Sequence, residues 1–144
     1  MLHLGYMAPQ QELHKLSHCA YALTYHLVLV TKYRHRCITD EILVRFEEIA
    51  RARCAGWGGE LLEVSGEPDH VHLLVSLPPT LTLAGFVNNL KTTSSRLIRR
   101  DFAKALAPYY WGPGFWSRSY CVVSCGGAPL EVIKRYIEAQ DSPA

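Results

Sequence analysis

Apolar residues along this chain recur with two different periods, and the order in which those periods alternate restricts the fold more than any other feature. A period of two marks a half-buried strand, and a period of three to four marks a helix lying on a core. Residues 20–31 (AYALTYHLVLVT) are rich in aromatic and branched side chains and read as a central strand, with Tyr21, Tyr25, Leu27 and Leu29 on one face. Thr39 then offers an N-cap, Asp40 and Glu41 suit a helix's first turn, and Ile42, Phe46, Ile49 and Arg53 follow at helical spacing until Gly56 and Gly58. A second strand over 60–65 and a third over 70–77 flank a turn containing Gly66 and Pro68, which makes the pair a hairpin. Beyond Pro78 and Pro79, Thr80 or Thr82 caps a long helix with Leu83, Phe86, Val87, Leu90, Leu97 and Ile98 on its buried side. A Gly/Pro-rich aromatic segment, 109–116, leads to a fourth strand over 119–124, and Gly126 and Gly127 precede Pro129 at the head of a last helix ending near Gln140.

Strand, helix, strand, strand, helix, strand and one further helix is the order of an α+β, ferredoxin-like (RRM-like) domain. Such a domain has one antiparallel sheet with two covering helices, here plus a C-terminal helix. A chain of 144 residues suits one such domain, and we expect residues 1–17 to be an N-terminal tail and 18–144 the single domain. With 49% apolar and 19% charged residues the profile is that of a globular protein and excludes a disordered or fibrous chain. No apolar run approaches the roughly 20 residues that cross a bilayer, so we expect a soluble, cytoplasmic protein with no membrane partner. The five cysteines are odd in number and scattered, which fits reduced, packed thiols better than a disulfide framework. A net charge of +2 is too small to prove a nucleic-acid partner, and the distribution of charge has to decide.

Chemistry enters at Asp69-His70-Val71-His72-Leu73-Leu74-Val75, where strand geometry sends both histidines to one face and Val71, Leu73 and Val75 to the other. Two imidazoles roughly 7 Å apart, at about 3.3 Å rise per residue, can converge on one metal ion, although two hydrogen-bonded histidines on a polar strand face fit the same residues. His3, His14, His18, His26 and His35 have no comparable spacing and read as surface or structural. In the last helix Leu130, Ile133 and Ile137 form a core stripe, and Tyr136 and Gln140, four apart, form a second stripe rotated by roughly 60°. An amphipathic tyrosine and a solvated glutamine suit that helix taken alone. Beside a histidine pair, however, a hydroxyl nucleophile and an oxygen ligand are what a metal site for phosphoryl transfer still needs. Tyrosine, with a pKa of about 10, attacks a phosphodiester only with help, and Mg²⁺ or Mn²⁺ on His70, His72 and the Gln140 oxygen would polarise the phosphate. A covalent link conserves the bond energy, so a strand can be rejoined without ATP.

The run from Asn88 to Arg96, extended by Arg99, Arg100 and Lys104, is basic and hydroxyl-rich, and Lys32, Arg34 and Arg36 form a second basic cluster. Lys91, Ser94, Ser95, Arg96, Arg99, Arg100, Lys32 and Arg34 are the candidate contacts to DNA phosphates; a solvated helix face accommodates the helical ones equally. Tyr109, Tyr110, Trp111, Phe115 and Trp116 read as core or loop anchors more readily than as base-stacking platforms.

Five segments, YHLVLVTKYR from Tyr25, PDHVHLLV, LKTTSSR, WSRSYCVVSCGG and VIKRYIEAQ, occur in this order, and together they resemble the single-tyrosine HUH transposases, the TnpA type of small single-strand insertion sequences. The resemblance implies that Tyr136 is the nucleophile, that His70, His72 and Gln140 bind Mg²⁺ or Mn²⁺, and that the substrate is single-stranded DNA folded into hairpins. It also implies a homodimer made by merging two sheets, with each active site taking histidines from one subunit and the tyrosine helix from the other. Gly126 and Gly127 suit a helix that docks on a partner. Transposases associated with repeated palindromes and rolling-circle initiators share this chemistry, and a ferredoxin-like nucleic-acid-binding module without catalysis would share the basic patches. A zinc hydrolase fits less well, since no third His, Glu or Asp stands at catalytic-zinc spacing.

Overall fold

The computed structural model describes residues 14–16, 19–21, 23–109, 112, 114–124 and 137–139. The strand expected over 20–31 divides. Cys19–Tyr21 (β2) turns back on His14–Leu16 (β1) as a separate two-stranded ladder, and Thr24–Thr31 (β3) enters the main sheet. The expected tail over 1–17 therefore includes one short strand, and residues 1–13 lie outside those described. Asp40–Gly56 (α1) starts where its cap places it, with the Thr39 hydroxyl accepting the Ile42 N–H at 3.2 Å. Glu60–Glu67 (β4) and His70–Ser76 (β5) form the hairpin. Leu83–Asp101 (α2) is capped by Thr82, whose hydroxyl accepts from the Gly85 N–H; Ala103–Leu106 (α3) and Trp116–Ser124 (β6) follow. The expected last helix falls mostly outside the described residues, apart from Ile137 to Ala139.

All four strands of the main sheet pair antiparallel in the order β4-β5-β3-β6, which puts the two longest apolar runs side by side in its centre. This is the expected ferredoxin-like sheet. One face carries Leu27, Leu29, Val71, Leu73 and Val75, all buried, and α1 and α2 cover it with Ile42, Phe46, Ile49, Phe86, Val87, Leu90 and Ile98. Burial of a core residue of this kind contributes roughly 1.5–3 kcal/mol, so this layer dominates the stability. The opposite face carries Val28 and Val30, with Cys121 and Val123 beside them, and Ile137 packs on it.

Two local readings need correction. Gly66 is not in the turn; it lies within β4, and the turn is Pro68–Asp69. A Cβ on Gly66 would stand 3.1 Å from Leu43 Cδ1 and 3.2 Å from Val71 Cγ1, so glycine lets α1 close on the sheet there. β6 begins at Trp116, three residues before Ser119, because Trp116 is paired with Thr31 and its ring packs edge-on against Phe46 in the core. The register of β4 against β5 slips between Leu61 and Glu63, which turns Leu61 to the core and leaves Leu62 41% exposed.

Candidate active site

Cross-strand partners share a face, so the pairing of β5 with its neighbours defines what surrounds the histidines. His72 stands opposite Val28 on β3 and Ser65 on β4, and His70 opposite Val30 and Glu67. Both imidazoles thus project from the face not covered by α1 and α2, with ring centroids 4.9 Å apart and planes at 76°. His26 belongs to the same face, since its partner Leu74 is two residues from His72.

Each histidine is prepared differently. His70 Nδ1 lies 2.7 Å from Asp69 Oδ1, which makes Nδ1 the donor and leaves Nε2 to bind. Asp69 is 4% exposed, and its other oxygen accepts from Arg34 Nε at 3.2 Å. Burial pushes the Asp69 carboxyl up, but the hydrogen bonds and charges of His70 and Arg34 outweigh it and hold the carboxyl below its ordinary value. The aspartate therefore stays ionised. His72 is 4% exposed, and burial first, with the neighbouring His70 and His26 in support, pushes its pKa down to about 3. It is a neutral imidazole at any physiological pH. Its Nδ1 is buried with no hydrogen-bond partner, as are Ser65 Oγ and His26 Nδ1 on the same face. An unpartnered nitrogen on buried His72, beside a His70 ring whose Nδ1 is engaged by Asp69, suits a metal ligand pair, so the residues present fit a divalent cation. Among the described residues no group of three or more His, Cys, Asp or Glu side chains converges, so a third protein ligand has to come from another residue type or from outside them.

Tyr136 and Gln140 lie outside the described residues. The neighbour of Tyr136 in sequence, Ile137, is described, and it is buried against Val28 and Val30, the residues opposite His72 and His70. His26 was missed by sequence reading, because only the register of β3 against β5 reveals that it shares the face of the pair.

The expected DNA contacts sort into three groups. Arg96, Arg99 and Arg100, with Ser95 and Thr92, line an open groove of about 710 Å³ between α2, α3 and Phe115–Trp116. Lys91 reaches this groove but donates from Nζ to the carbonyls of Ser117 and Arg118 at 2.7 and 3.0 Å, tying α2 to β6, and burial lowers its pKa. Ser94 is a correction. It is fully buried, donates to the Leu90 carbonyl at 2.6 Å and accepts from Trp116 Nε1 at 2.9 Å, so it faces the core and not a phosphate. Lys32 and Arg34 follow β3 at the histidine end of the sheet, with Lys32 Nζ 5.5 Å from the Tyr33 ring centroid and Arg34 on Asp69. Tyr33 and Arg34 have φ of 56° and 55°, a left-handed pair that costs non-glycine residues roughly 1–2 kcal/mol each.

Residues 19–140 match the family model described as "Transposase IS200 like". The chain is 35% identical over 120 residues to the ISDra2 transposase TnpA of Deinococcus radiodurans, spanning 83% of this chain and 85% of that one. It is 30% identical over 125 residues to the transposase for insertion sequence element IS200 of Salmonella typhimurium, spanning 87% and 81%. Its fold is similar to the crystal structure of a candidate transposase from Deinococcus radiodurans, with a TM-score of 0.78 at 34% identity over 90% of this chain and 98% of that one. A REP-associated tyrosine transposase solved bound to a REP hairpin shares the fold at a TM-score of 0.50 and 9% identity, over 81% of this chain and 62% of that one. No helix among the described residues is long and apolar enough to cross a membrane. Sequence and fold thus lead to one assignment: the chain belongs to the IS200-like transposases, enzymes that transfer DNA strands.

Proposed function

We propose that this transposase cuts and rejoins single-stranded DNA at hairpin-bearing ends through a covalent 5′-phosphotyrosine, with Tyr136 as nucleophile and with Mg²⁺ or Mn²⁺ held by His70, His72 and Gln140. The reaction belongs to the nucleoid, in the cytoplasm of a bacterium or archaeon. The observation that carries the reading is the prepared histidine pair. One imidazole is fixed by Asp69 and the other kept neutral by burial, on the sheet face where Ile137 packs. Held by these residues, a divalent cation would supply positive charge to the scissile phosphate. The Tyr136 oxygen attacks phosphorus as the P–O3′ bond breaks, which leaves tyrosine joined to the 5′ phosphate. The phenolic proton is balanced by the proton taken up at the departing 3′ oxygen, and attack by another 3′ hydroxyl reverses the step and seals a new junction. The hairpin in the distant REP-bound structure supports a folded DNA substrate, and the resemblance supports a homodimer with shared sites.

The test is incubation with single-stranded DNA from the flanks of the gene, in Mg²⁺ or EDTA, read as a protein–DNA adduct on a denaturing gel. An adduct should form only with metal and vanish in Tyr136→Phe, while hairpin binding persists. His72→Ala should slow adduct formation on the order of 100-fold, because it removes a proposed ligand of the cation that would stabilise the transition state. Hairpin binding with no adduct in either metal would instead support a binding module without catalysis.

A further inference from the structure

Leaving a strand through two consecutive left-handed residues, neither of them glycine, is a strained route, and strain of this kind persists only where surrounding contacts hold it. Tyr33 and Arg34 take that route at φ of 56° and 55°. The Lys32 N–H donates to the Phe115 carbonyl at 3.0 Å on one side of the loop, and the remaining anchors run chiefly to the turn ahead of the histidine pair. The Thr31 N–H donates to the Asp69 carbonyl at 3.0 Å, and the Thr31 hydroxyl lies within reach of the carbonyls of His35 at 2.8 Å and Asp69 at 3.2 Å. The Ile38 N–H donates to the Pro68 carbonyl at 2.9 Å. Delivered by this loop, Arg34 meets Asp69 Oδ2 at 3.2 Å while Asp69 Oδ1 holds His70 Nδ1 at 2.7 Å. The Asp69 side chain is only 6% exposed and that of Arg34 25%, so the guanidinium is turned inward onto the carboxylate.

We infer that Arg34 is a positioning residue for the histidine pair and not a contact to DNA phosphate: through Asp69 it keeps the His70 proton on Nδ1 and the Nε2 lone pair aimed at the site. The effect on metal rests on the reading of His70 and His72 as ligands; the effect on the His70 tautomer does not. A carboxylate held from one side only can rotate or accept from another donor, and the imidazole it orients then loses its fixed tautomer. A planar guanidinium with several donors in a fixed fork suits this role better than an ammonium.

Three measurements on the full chain separate the possibilities. Long-range ¹H–¹⁵N spectra of metal-free protein report which His70 nitrogen is protonated, Mn²⁺ titration reports affinity, and a hairpin-forming oligonucleotide from the gene's flank reports DNA binding in EDTA. Arg34→Gln should give mixed His70 tautomers and bind Mn²⁺ about 10-fold more weakly, with hairpin affinity unchanged. Arg34→Lys, which keeps the charge, should recover part of both. Asp69→Asn should weaken Mn²⁺ binding at least as much and also leave hairpin affinity unchanged. A wild-type tautomer in Arg34→Gln together with lost hairpin affinity would overturn the inference. So would a gain of hairpin affinity in Asp69→Asn, since that change frees the guanidinium, and this arm decides if Arg34→Gln does not fold. A wild-type protein with the Nδ1–H tautomer, disturbed by Arg34→Gln, that takes up no Mn²⁺ would overturn the metal reading and leave the positioning role standing.

Discussion

His70 and Ser94 show how differently one residue's role can be read from sequence and from its surroundings. A histidine at every second position of an apolar strand announces its face without further information, because period-two geometry leaves no choice once the strand is granted. Ser94 stands in a run of hydroxyls and cations, and its direction depends on the Trp116 indole 22 residues away. The serine gives the buried N–H an acceptor and spends its own proton on the Leu90 carbonyl. Ser94→Ala should therefore leave an unsatisfied indole donor in the core and cost about 1–3 kcal/mol, seen as a lower urea midpoint with an unchanged slope. Hairpin affinity should not move, which separates a core serine from a phosphate contact. His26 illustrates the same limit, since its place beside His72 follows from strand register, which no local spacing encodes.

At the scale of elements, α2 performs two tasks with one sequence. Phe86, Val87, Leu90 and Ile98 seal it to the sheet, while Arg96, Arg99 and Arg100 line the groove toward α3. Unlike Lys91, whose ammonium is occupied by two carbonyls, Arg96 and Arg99 make none of the ion pairs found among the described residues. If the groove follows a single strand, Arg99→Ala should lower the slope of log affinity against log salt by about 0.7, and Arg96→Ala by a similar amount, in fluorescence anisotropy from low to moderate salt. Slopes equal to that of the wild type would place the DNA elsewhere. The elements themselves were readable because caps and periods are local: Thr39 and Thr82 start their helices where their hydroxyls indicate. The break between β2 and β3, the glycine inside β4 and the early start of β6 were not readable. The last two are set by partners distant in sequence, as Leu43 sets Gly66 and Phe46 and Thr31 set Trp116.

For the whole molecule, the order of strands and helices restricted the architecture, and the sheet order β4-β5-β3-β6 follows it. For the proposed homodimer with Tyr136 as nucleophile, that order leaves open which copy of the chain would supply the tyrosine. Val28 and Val30 form an apolar pair on the histidine face, and Ile137 covers them. Exchange of identical segments between two-fold related subunits preserves such a contact, so the cover is the same whether it comes from the same chain or from a second one. Mixing two inactive proteins distinguishes the arrangements. A dimer of His70→Ala with Tyr136→Phe has no complete site if histidines and tyrosine belong to one chain. It has one complete site if they are exchanged, with intact histidines from one subunit and intact Tyr136 from the other. After co-expression in equal amounts, random pairing makes half of the dimers mixed, so exchanged sites should return about one quarter of the wild-type adduct. We expect that recovery, with the adduct carried only by the His70→Ala chain; a mixture as inactive as its parents would mean that each subunit builds its site alone.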